Sequence, residues 1–555
     1  MTNSKYFFLF SPVYILSILF YIPNIGGFGY SLPFNLFTLL TSSLVIFTVV
    51  HCACLKNLFE YDNFFFALCI FFIFLCLPVL ISDEFQFYKS LPRFLTILFG
   101  LLYYFSLMQL KPEKSYLTLL LLLICTSSFV SSCFSLFQNY LMTSESYFAV
   151  KIEYGRPTGI FQQVNVLASF TATGIAVCLY LLNSLKNKYL ILFLITCVFV
   201  NFWVLFLTQS RTGLLAGAIL ICYYSFIYFK SKEFKKIIIL IGILITSLTL
   251  AKTLPYGAGN DYITKKEVIS SPTIRMYIYQ DSLELFLQEP ITGHGYGSFH
   301  RQLTDYSAGK AIERNNINYG KKVTHPHNEL LLWMVEGGAI AGVAIVLIFS
   351  YFCYLIYYSK HKNKLGVFLL SMPILLHTLT EHPFYQSTIH FVVFVTLIYI
   401  TLKQCNIPQR KINLNRSLIK ILNLLIVLGI VIFSLTALQS VIKLKKYIYD
   451  EPNNHILLSQ TLNPFIEYKF KEIQTNTLKL EFALQQNNYN EINEFILWSE
   501  GFLKAYPSDY IYFETIRAMK ALLMMEQAEE LNNKAKYLYP QNNSWENGIW
   551  VPSKN

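Results

Sequence analysis

The sequence predicts an all-α, polytopic integral membrane protein, and three observations carry that expectation. Hydrophobic residues make up 54% of the 555-residue chain and charged residues only 14%, a membrane composition. Apolar stretches of about 20 residues, the length that crosses hydrocarbon, recur from Phe7 to about Leu438. The lysines and arginines between them fall into two unequal sets, as in chains oriented by positive loops.

About twelve or thirteen transmembrane helices fit this pattern. It implies a transmembrane domain over residues 1–440, a large loop at 255–328 within it, and a soluble helical domain at 441–555. The first apolar stretch, Phe7 to Pro23, follows Lys5 without a small-residue cleavage site, so it reads as a retained signal anchor. The eleven cysteines lie in or beside apolar segments, apart from Cys405 in a basic connector, and imply no disulfide framework. The net charge of +12 comes largely from short basic loops, which serve orientation rather than nucleic-acid binding.

The basic connections hold Lys56, Lys111 with Lys114, Lys186 with Lys188, the run from Lys230 to Lys236, Lys364 and the cluster around Arg410; these are assigned to the cytoplasm. The alternate connections begin at Asn24, Ser82, Thr208 and Thr380, or contain "GRPTG" and the long loop, and face the other way. An odd span count puts the tail on that outer face, although Lys443, Lys445 and Lys446 weigh against it. The tail has apolar residues at helical spacing. Its Tyr506-Pro507 pair recurs 33 residues later at Tyr539-Pro540, near the roughly 34-residue tetratricopeptide period.

Polar groups collect at the outer ends. Arg156 precedes a Pro-Thr-Gly turn, after which Gln162, Gln163 and Asn165 enter an apolar segment, where amides either pair across helices or line a cavity. Arg211 sits in the short turn "TQSRTG", where its permanent charge requires anions, lipid phosphates or a phosphate-bearing substrate. In the long loop a helix is expected to open at Ser271 and to carry Arg275, then to end at glycines 293, 295 and 297 in a turn without nucleotide-binding spacing. "THPHNELLL" then places His325, His327 and Asn328 at the mouth of the next helix. A histidine there caps the helix, bonds a carbonyl, or takes a proton near neutral pH. His325 and His327 with distant His294 or His300 show no metal-site spacing, so no metal is expected. Glu336 reads as a buried carboxylate paired to an arginine of a neighbouring helix, with Gly337, Gly338 and Gly342 permitting close packing. Glu381 and His382, before Pro383, orient Arg211, Arg275 or a substrate, or form a structural ion pair.

Taken in order, Arg211 in its Ser-Arg turn, Arg275 heading a loop helix, the Gly293–Phe299 turn and His-Asn opening the next span resemble the O-antigen ligase and polymerase superfamily. "GRPTGIFQQVNVLASF" and the C-terminal extension are more similar to bacterial protein O-oligosaccharyltransferases of the pilin-glycosylating type. The resemblance implies an integral-membrane glycosyltransferase fold and transfer of a glycan from undecaprenyl pyrophosphate to a Ser/Thr hydroxyl of an exported protein. It places the chain in a bacterial inner membrane with a periplasmic active site and no metal or other cofactor. It makes Arg211 and Arg275 the diphosphate-holding residues and His327 the base, with His325 as a competing imidazole. Arg156, Gln162, Gln163, Asn165, His325, Asn328, Glu381 and His382 are then substrate-binding residues. An O-antigen ligase or polymerase has the same chemistry with another acceptor. A polar-lipid transporter is the reading of a different class, disfavoured because the polar groups gather at one face without a half-to-half repeat.

Overall fold

A computed structural model describes residues 3–27, 29–56, 59–81, 86–110, 114–143, 146, 156–254, 272–314, 318–540, 542 and 545. Lys111 and the expected cap at Ser271 lie outside the described residues, as does residue range 255–271 of the long loop. The chain is almost wholly helical. It opens with α1 (Asn3–Ser11) and α2 (Ser17–Leu19), joined by a π-helical turn. Long helices follow: α3 (Pro33–Lys56), α4 (Asn63–Ile81), α5 (Phe87–Met108), α6 (Lys114–Tyr140), α7 (Val164–Leu182), α8 (Lys188–Thr208), α9 (Arg211–Lys230) and α10 (Phe234–Thr253). The loop holds α11 (Pro272–Gln288) and α12 (Phe299–Gly309), and leads into α13 (Glu329–Tyr358). Next come the short α14 (Lys364–Phe368), α15 (Met372–Thr378) and α16 (Pro383–Gln386), then α17 (Thr388–Gln404) and α18 (Arg416–Lys445). The tail forms α19 (Ile456–Ser459), α20 (Tyr468–Gln485), α21 (Tyr489–Ala505), α22 (Asp509–Ala521) and α23 (Met525–Leu538).

Among the described residues, ten helices are long and apolar enough to cross a membrane, and Lys5–Leu19 and Thr388–Gln404 are shorter apolar helices. With the α14–α15 pair these match the expected span count. The apolar stretch carrying that pair is not one helix. It breaks at Leu369–Ser371, where Leu370 and Ser371 are fully buried. Irregular backbone at membrane depth survives only when enclosed by protein, and this break is.

The chain divides into two compact units that do not follow chain order. The first comprises Met1–Ile70, Thr96–Lys266 and Leu347–Ile466; the second comprises Phe71–Leu95, Glu267–Val346 and Glu467–Asn555.

In the first unit α7 is the central helix, packed by α6, α8, α9 and α15. Small residues allow this, as expected where no hydrophobic effect drives helices together. A Cβ on Gly174 would lie 2.0 Å from Ser128 Oγ. Ser128 and Ser132 donate to Asn201 Oδ1 at 2.8 and 2.7 Å, which satisfies a buried amide oxygen. The two loop sets read from charge segregate. Of the sparsely charged set, Gln162 donates to Asn24 at 3.1 Å, Asn35 donates to the Gln386 carbonyl at 2.9 Å, and Thr212 bonds Thr380 at 3.0 Å. Of the basic set, Phe59–Asp62 pairs antiparallel with Gln409–Ile412, and Tyr223 donates to Asn363.

The second unit is organised by a break in α13. Gly338 has φ 64° and ψ −163°, a conformation essentially confined to glycine. The glycine turn of the loop is bound to this break through the backbone. Ala339 N–H donates to the Pro290 carbonyl at 2.8 Å, His294 N–H to Val335 at 2.9 Å and Gly295 N–H to Glu336 at 2.9 Å. The helical groups freed by the break thus find partners. The C-terminal helices share this unit. Ala308 of α12 belongs to the same buried cluster as Ile492, Ile511 and Leu538, and Asn318 donates to the Leu538 carbonyl at 2.7 Å. Lys89 bonds the carbonyls of Gly297 at 3.1 Å and Ala505 at 2.7 Å, so one ammonium ties the glycine turn to the end of α21.

His300, 5% exposed at the start of α12, is 3.2 Å from the Lys321 carbonyl, to which its Nε2–H donates. Burial, then the charges of Lys89 and Lys469, push its imidazole down to about 4. The unfolded chain, with an ordinary histidine pKa of about 6.5, binds the proton that the folded unit refuses. Stability from this site is complete above pH ~6.5 and is lost as pH falls from there toward 4. Thermal denaturation in detergent should show a midpoint falling between pH 7 and pH 5, with a flatter dependence for His300→Gln. A second expectation concerns the break. A Cβ on Gly338 would lie 2.1 Å from the Ile291 carbonyl oxygen, whereas one on Gly342 meets mainly the flexible Met334 side chain. Gly338→Ala should therefore lose ~3 kcal/mol or more, and Gly342→Ala clearly less, by the same measurement.

Candidate functional site

The first unit gathers several expected residues at one end of α7. Gln163 caps α7, its Oε1 accepting the Val166 N–H at 2.6 Å, and its Nε2 donates to Glu381 Oε2 at 2.7 Å. Asn165, two residues on, donates to Glu381 Oε1 at 2.8 Å. The two amides therefore grip one carboxylate. Gln162, with φ 55°, turns away to Asn24. Arg156 is half-buried ahead of the 3-10 turn at Gly159–Phe161. His382 is 3% exposed and packs edge-on against Tyr385, with ring centroids 5.3 Å apart.

Arg211 is the first residue of α9, after the cap Ser210, and its side chain is exposed. Gly213 brings this helix start against α7, since a Cβ there would lie 2.8 Å from that of Ala168. Thr212, beside Arg211, meets Thr380, beside Glu381. Arg211 has no ion-pair partner among the described residues.

The second unit holds Arg275, His325, His327 and Asn328. Arg275 lies in the first turn of α11, half-buried, and also has no ion-pair partner among the described residues. The acids of the same helix are engaged. Asp281, fully buried, accepts from both Arg314 nitrogens at 2.6 and 2.8 Å and from Tyr319. The Lys310 ammonium, then the Tyr306 hydroxyl, hold the Glu284 carboxyl down to about 2. Tyr279, one helical turn after Arg275, donates to the His327 carbonyl at 3.3 Å. Residues four apart share a helix face, so this bond aligns Arg275 with the histidine segment.

His327 itself has φ 54°. Its ring stands 4.5 Å from that of His325, edge to face, and its backbone N–H donates to His325 Nδ1 at 3.3 Å. Asn328 caps α13 by accepting the Leu331 N–H at 3.0 Å. His294 bonds the Leu285 carbonyl at 2.8 Å and His300 the Lys321 carbonyl. Glu336 is 1% exposed; it pairs with Arg93 of α5 and accepts the Phe299 N–H at 3.2 Å, the pairing its setting predicts. Arg93 is one functional neighbour that sequence reasoning passed over, although an arginine inside an apolar stretch demands a counter-charge. His377 and His390, in apolar helices, are others, and they adjoin the Glu381 cluster.

A cation in the first turn of a helix is opposed by the positive end of the helix dipole. Arg211 and Arg275 both occupy such positions without a carboxylate among the described residues, while N-terminal amides and guanidinium together favour a bound anion. A neutral imidazole is a side chain suited to accept a proton near neutral pH.

Comparison with known families gives three matches along the chain. Residues 157–182 match a protein glycosylation ligase family, residues 192–346 an O-antigen ligase family, and residues 366–548 the C-terminal part of a virulence-factor membrane-bound polymerase family. A general O-oligosaccharyltransferase of Acinetobacter baylyi is 26% identical over 241 residues, which cover 41% of this chain and 40% of the relative. An uncharacterised protein of Haemophilus influenzae is 23% identical over 235 residues, covering 40% of this chain and 56% of that relative. The matched stretches thus span about half the length of these relatives, or less.

Proposed function

From the O-antigen ligase and O-oligosaccharyltransferase resemblance that these matches bear out, we propose that the chain transfers a glycan en bloc from an undecaprenyl-pyrophosphate carrier to a serine or threonine hydroxyl of an exported, pilin-like protein. The reaction takes place on the periplasmic side of the bacterial inner membrane. The observation that supports the reading is the pair of arginines at helix starts that have no carboxylate partner among the described residues, one of them on the α11 face that Tyr279 bonds to the His325–His327 segment. Unpaired guanidinium groups suit a diphosphate, and helix N-termini add to their pull.

In this mechanism Arg211 and Arg275 hold the diphosphate. As the anomeric C–O bond breaks, negative charge grows on the leaving oxygen, and fixed cations stabilise it without reorganising water. His327, neutral at rest, takes the proton of the acceptor hydroxyl while the new C–O bond forms, a contribution of about 10²- to 10⁴-fold. The His327 backbone, left-handed at this point, donates its N–H to His325 Nδ1 and so holds the neighbouring His325 ring. The Gln163–Asn165 grip on Glu381 forms a polar floor beside Arg211. No residue of this mechanism requires a metal. The C-terminal helices dock the acceptor protein. Since their core includes Ala308 of the loop, deleting 440–555 disrupts more than docking.

Reconstitution with purified lipid-linked glycan and an acceptor protein tests the reading through formation of a glycan–protein bond. His327→Ala should lower kcat by ~10²-fold or more with donor KM nearly unchanged. Arg275→Ala and Arg211→Ala should instead raise donor KM, and a wild-type rate in the His327 variant would remove it from the role of base. Absence of any glycan–protein product would favour transport, and a product on lipid core or on a second lipid-linked glycan would favour ligase or polymerase.

A further inference from the structure

Behind Glu381 a continuous hydrogen-bonded chain runs into the first unit, and no step above uses it. Glu381 Oε2 lies 3.3 Å from His377 Nε2, and His377 Nδ1 lies 2.8 Å from Ser169 Oγ. The same hydroxyl lies 3.1 Å from His390 Nε2, and His390 Nδ1 lies 2.9 Å from Ser387 Oγ. The Glu381 side chain is 12% exposed, while Ser169, His377, His390 and Ser387 are all at 2% or less. A buried histidine that serves only packing needs a carbonyl or a hydroxyl. Here two rings use both nitrogens, share one hydroxyl and end on a carboxylate that reaches the surface beside Thr380.

His390 Nε2 also lies 3.0 Å from the Val166 carbonyl, which can only accept, so His390 keeps its proton on Nε2 while Ser387 donates to its Nδ1. Two hydrogen-bond orders remain. In the first, Ser169 donates to His377 Nδ1, and His377 Nε2–H to an ionised Glu381. In the second, a protonated Glu381 donates to His377 Nε2, His377 Nδ1–H to Ser169, and Ser169 to the Val166 carbonyl 3.1 Å away. The second order holds one proton more, carried by the carboxyl. Only His377 changes tautomer, and neither ring becomes charged, which matters where an imidazolium would lie in an apolar interior. The carboxylate needs such a provision. It sits next to Thr380, which bonds Thr212 beside Arg211, and a negative Glu381 opposes any anion that Arg211 attracts.

We propose that binding of a diphosphate anion at Arg211 is coupled to uptake of one proton by Glu381, and that His377, Ser169 and His390 are positioning residues that let the carboxyl change protonation while both imidazoles stay neutral. This rests on the diphosphate-donor reading above and adds its regulation. The chemical change is a single protonation: carboxylate and one solvent proton give a carboxylic acid, and no other bond is made or broken. The other charged or titratable groups carried at this end by elements packed on Glu381 are Arg211 on α9, His382 and Tyr385 around α16, and Arg156 ahead of α7. Both arginines keep their charge throughout, so the carboxyl takes up the change.

Calorimetric titration of the purified full chain with a short prenyl diphosphate, in buffers of different ionisation enthalpy, counts the protons taken up on binding. Glu381→Gln sets the baseline from the ligand's own protonation. Wild type should take up more than that baseline between pH 6 and pH 8, with affinity falling as pH rises. Ser169→Ala orphans His377 Nδ1–H in the protonated order, and an orphaned N–H costs more than an orphaned lone pair. It should therefore cut the excess uptake by about half or more. Ser169→Thr, which keeps the hydroxyl, should restore it. Wild-type uptake equal to the Glu381→Gln baseline would overturn the proposal. So would a Ser169→Ala variant with full uptake and only a lower Tm, the mark of a structural role. Absence of diphosphate binding in every variant would remove the donor reading itself, and the coupling with it.

Discussion

The second unit depends on the interlock between the glycine turn of the loop and the break in α13. One chain segment supplies carbonyls and N–H groups to another at the point where that helix gives up its own ladder. Each side is required by the other. Gly293 and Gly338 face one another so closely that a Cβ on either would strike the opposing backbone, at 2.5 Å for Gly293 and 2.1 Å for Gly338. Glu336, two residues before the break, adds an ion pair to Arg93 and a bond to the start of α12. The helix mouth that carries Asn328 and His327 is therefore fixed from behind by backbone contacts, whose geometry side-chain changes at the mouth do not alter.

A second regularity concerns charge. Four acids are firmly engaged: in the second unit Asp281 by Arg314 and Tyr319, Glu284 by Lys310 and Tyr306, and Glu336 by Arg93, and in the first unit Glu381 by two amides and an imidazole. Arg211 and Arg275 are left without carboxylates among the described residues. Cations placed at the positive ends of two helices without such partners are unfavourable on their own. That cost becomes an attraction once an anion arrives, and it is the physical basis of the diphosphate reading.

Much of this was legible in the sequence because membrane chains expose their logic in composition. Span length and the pairing demanded by Glu336 each follow from the absence of water in hydrocarbon, and the helices agree with them. A loop helix carrying Arg275 was readable from local spacing, whereas the cap of α13 reads as a histidine and is Asn328. What escaped was non-local. Nothing near Gly338 in sequence announces that a turn some 45 residues earlier will break its helix, and the apolar stretch that became α14 and α15 has a composition indistinguishable from an unbroken span. Ser169, His377 and His390 lie on three different helices, so their alignment behind Glu381 is visible only after folding. The division into units also ignores chain order, because the tail helices share a core with the loop rather than standing apart.

That shared core bears on biosynthesis. The partners of the apolar face of α12 around Ala308 are encoded after Glu467, and about 120 residues separate them from the end of the preceding segment of the same unit at Val346. At ribosomal rates this is a wait of roughly 6–24 s. Throughout that interval α12 stands with its greasy surface uncovered, a nascent client for a holdase, and its maturation keeps time with the emergence of the last helices.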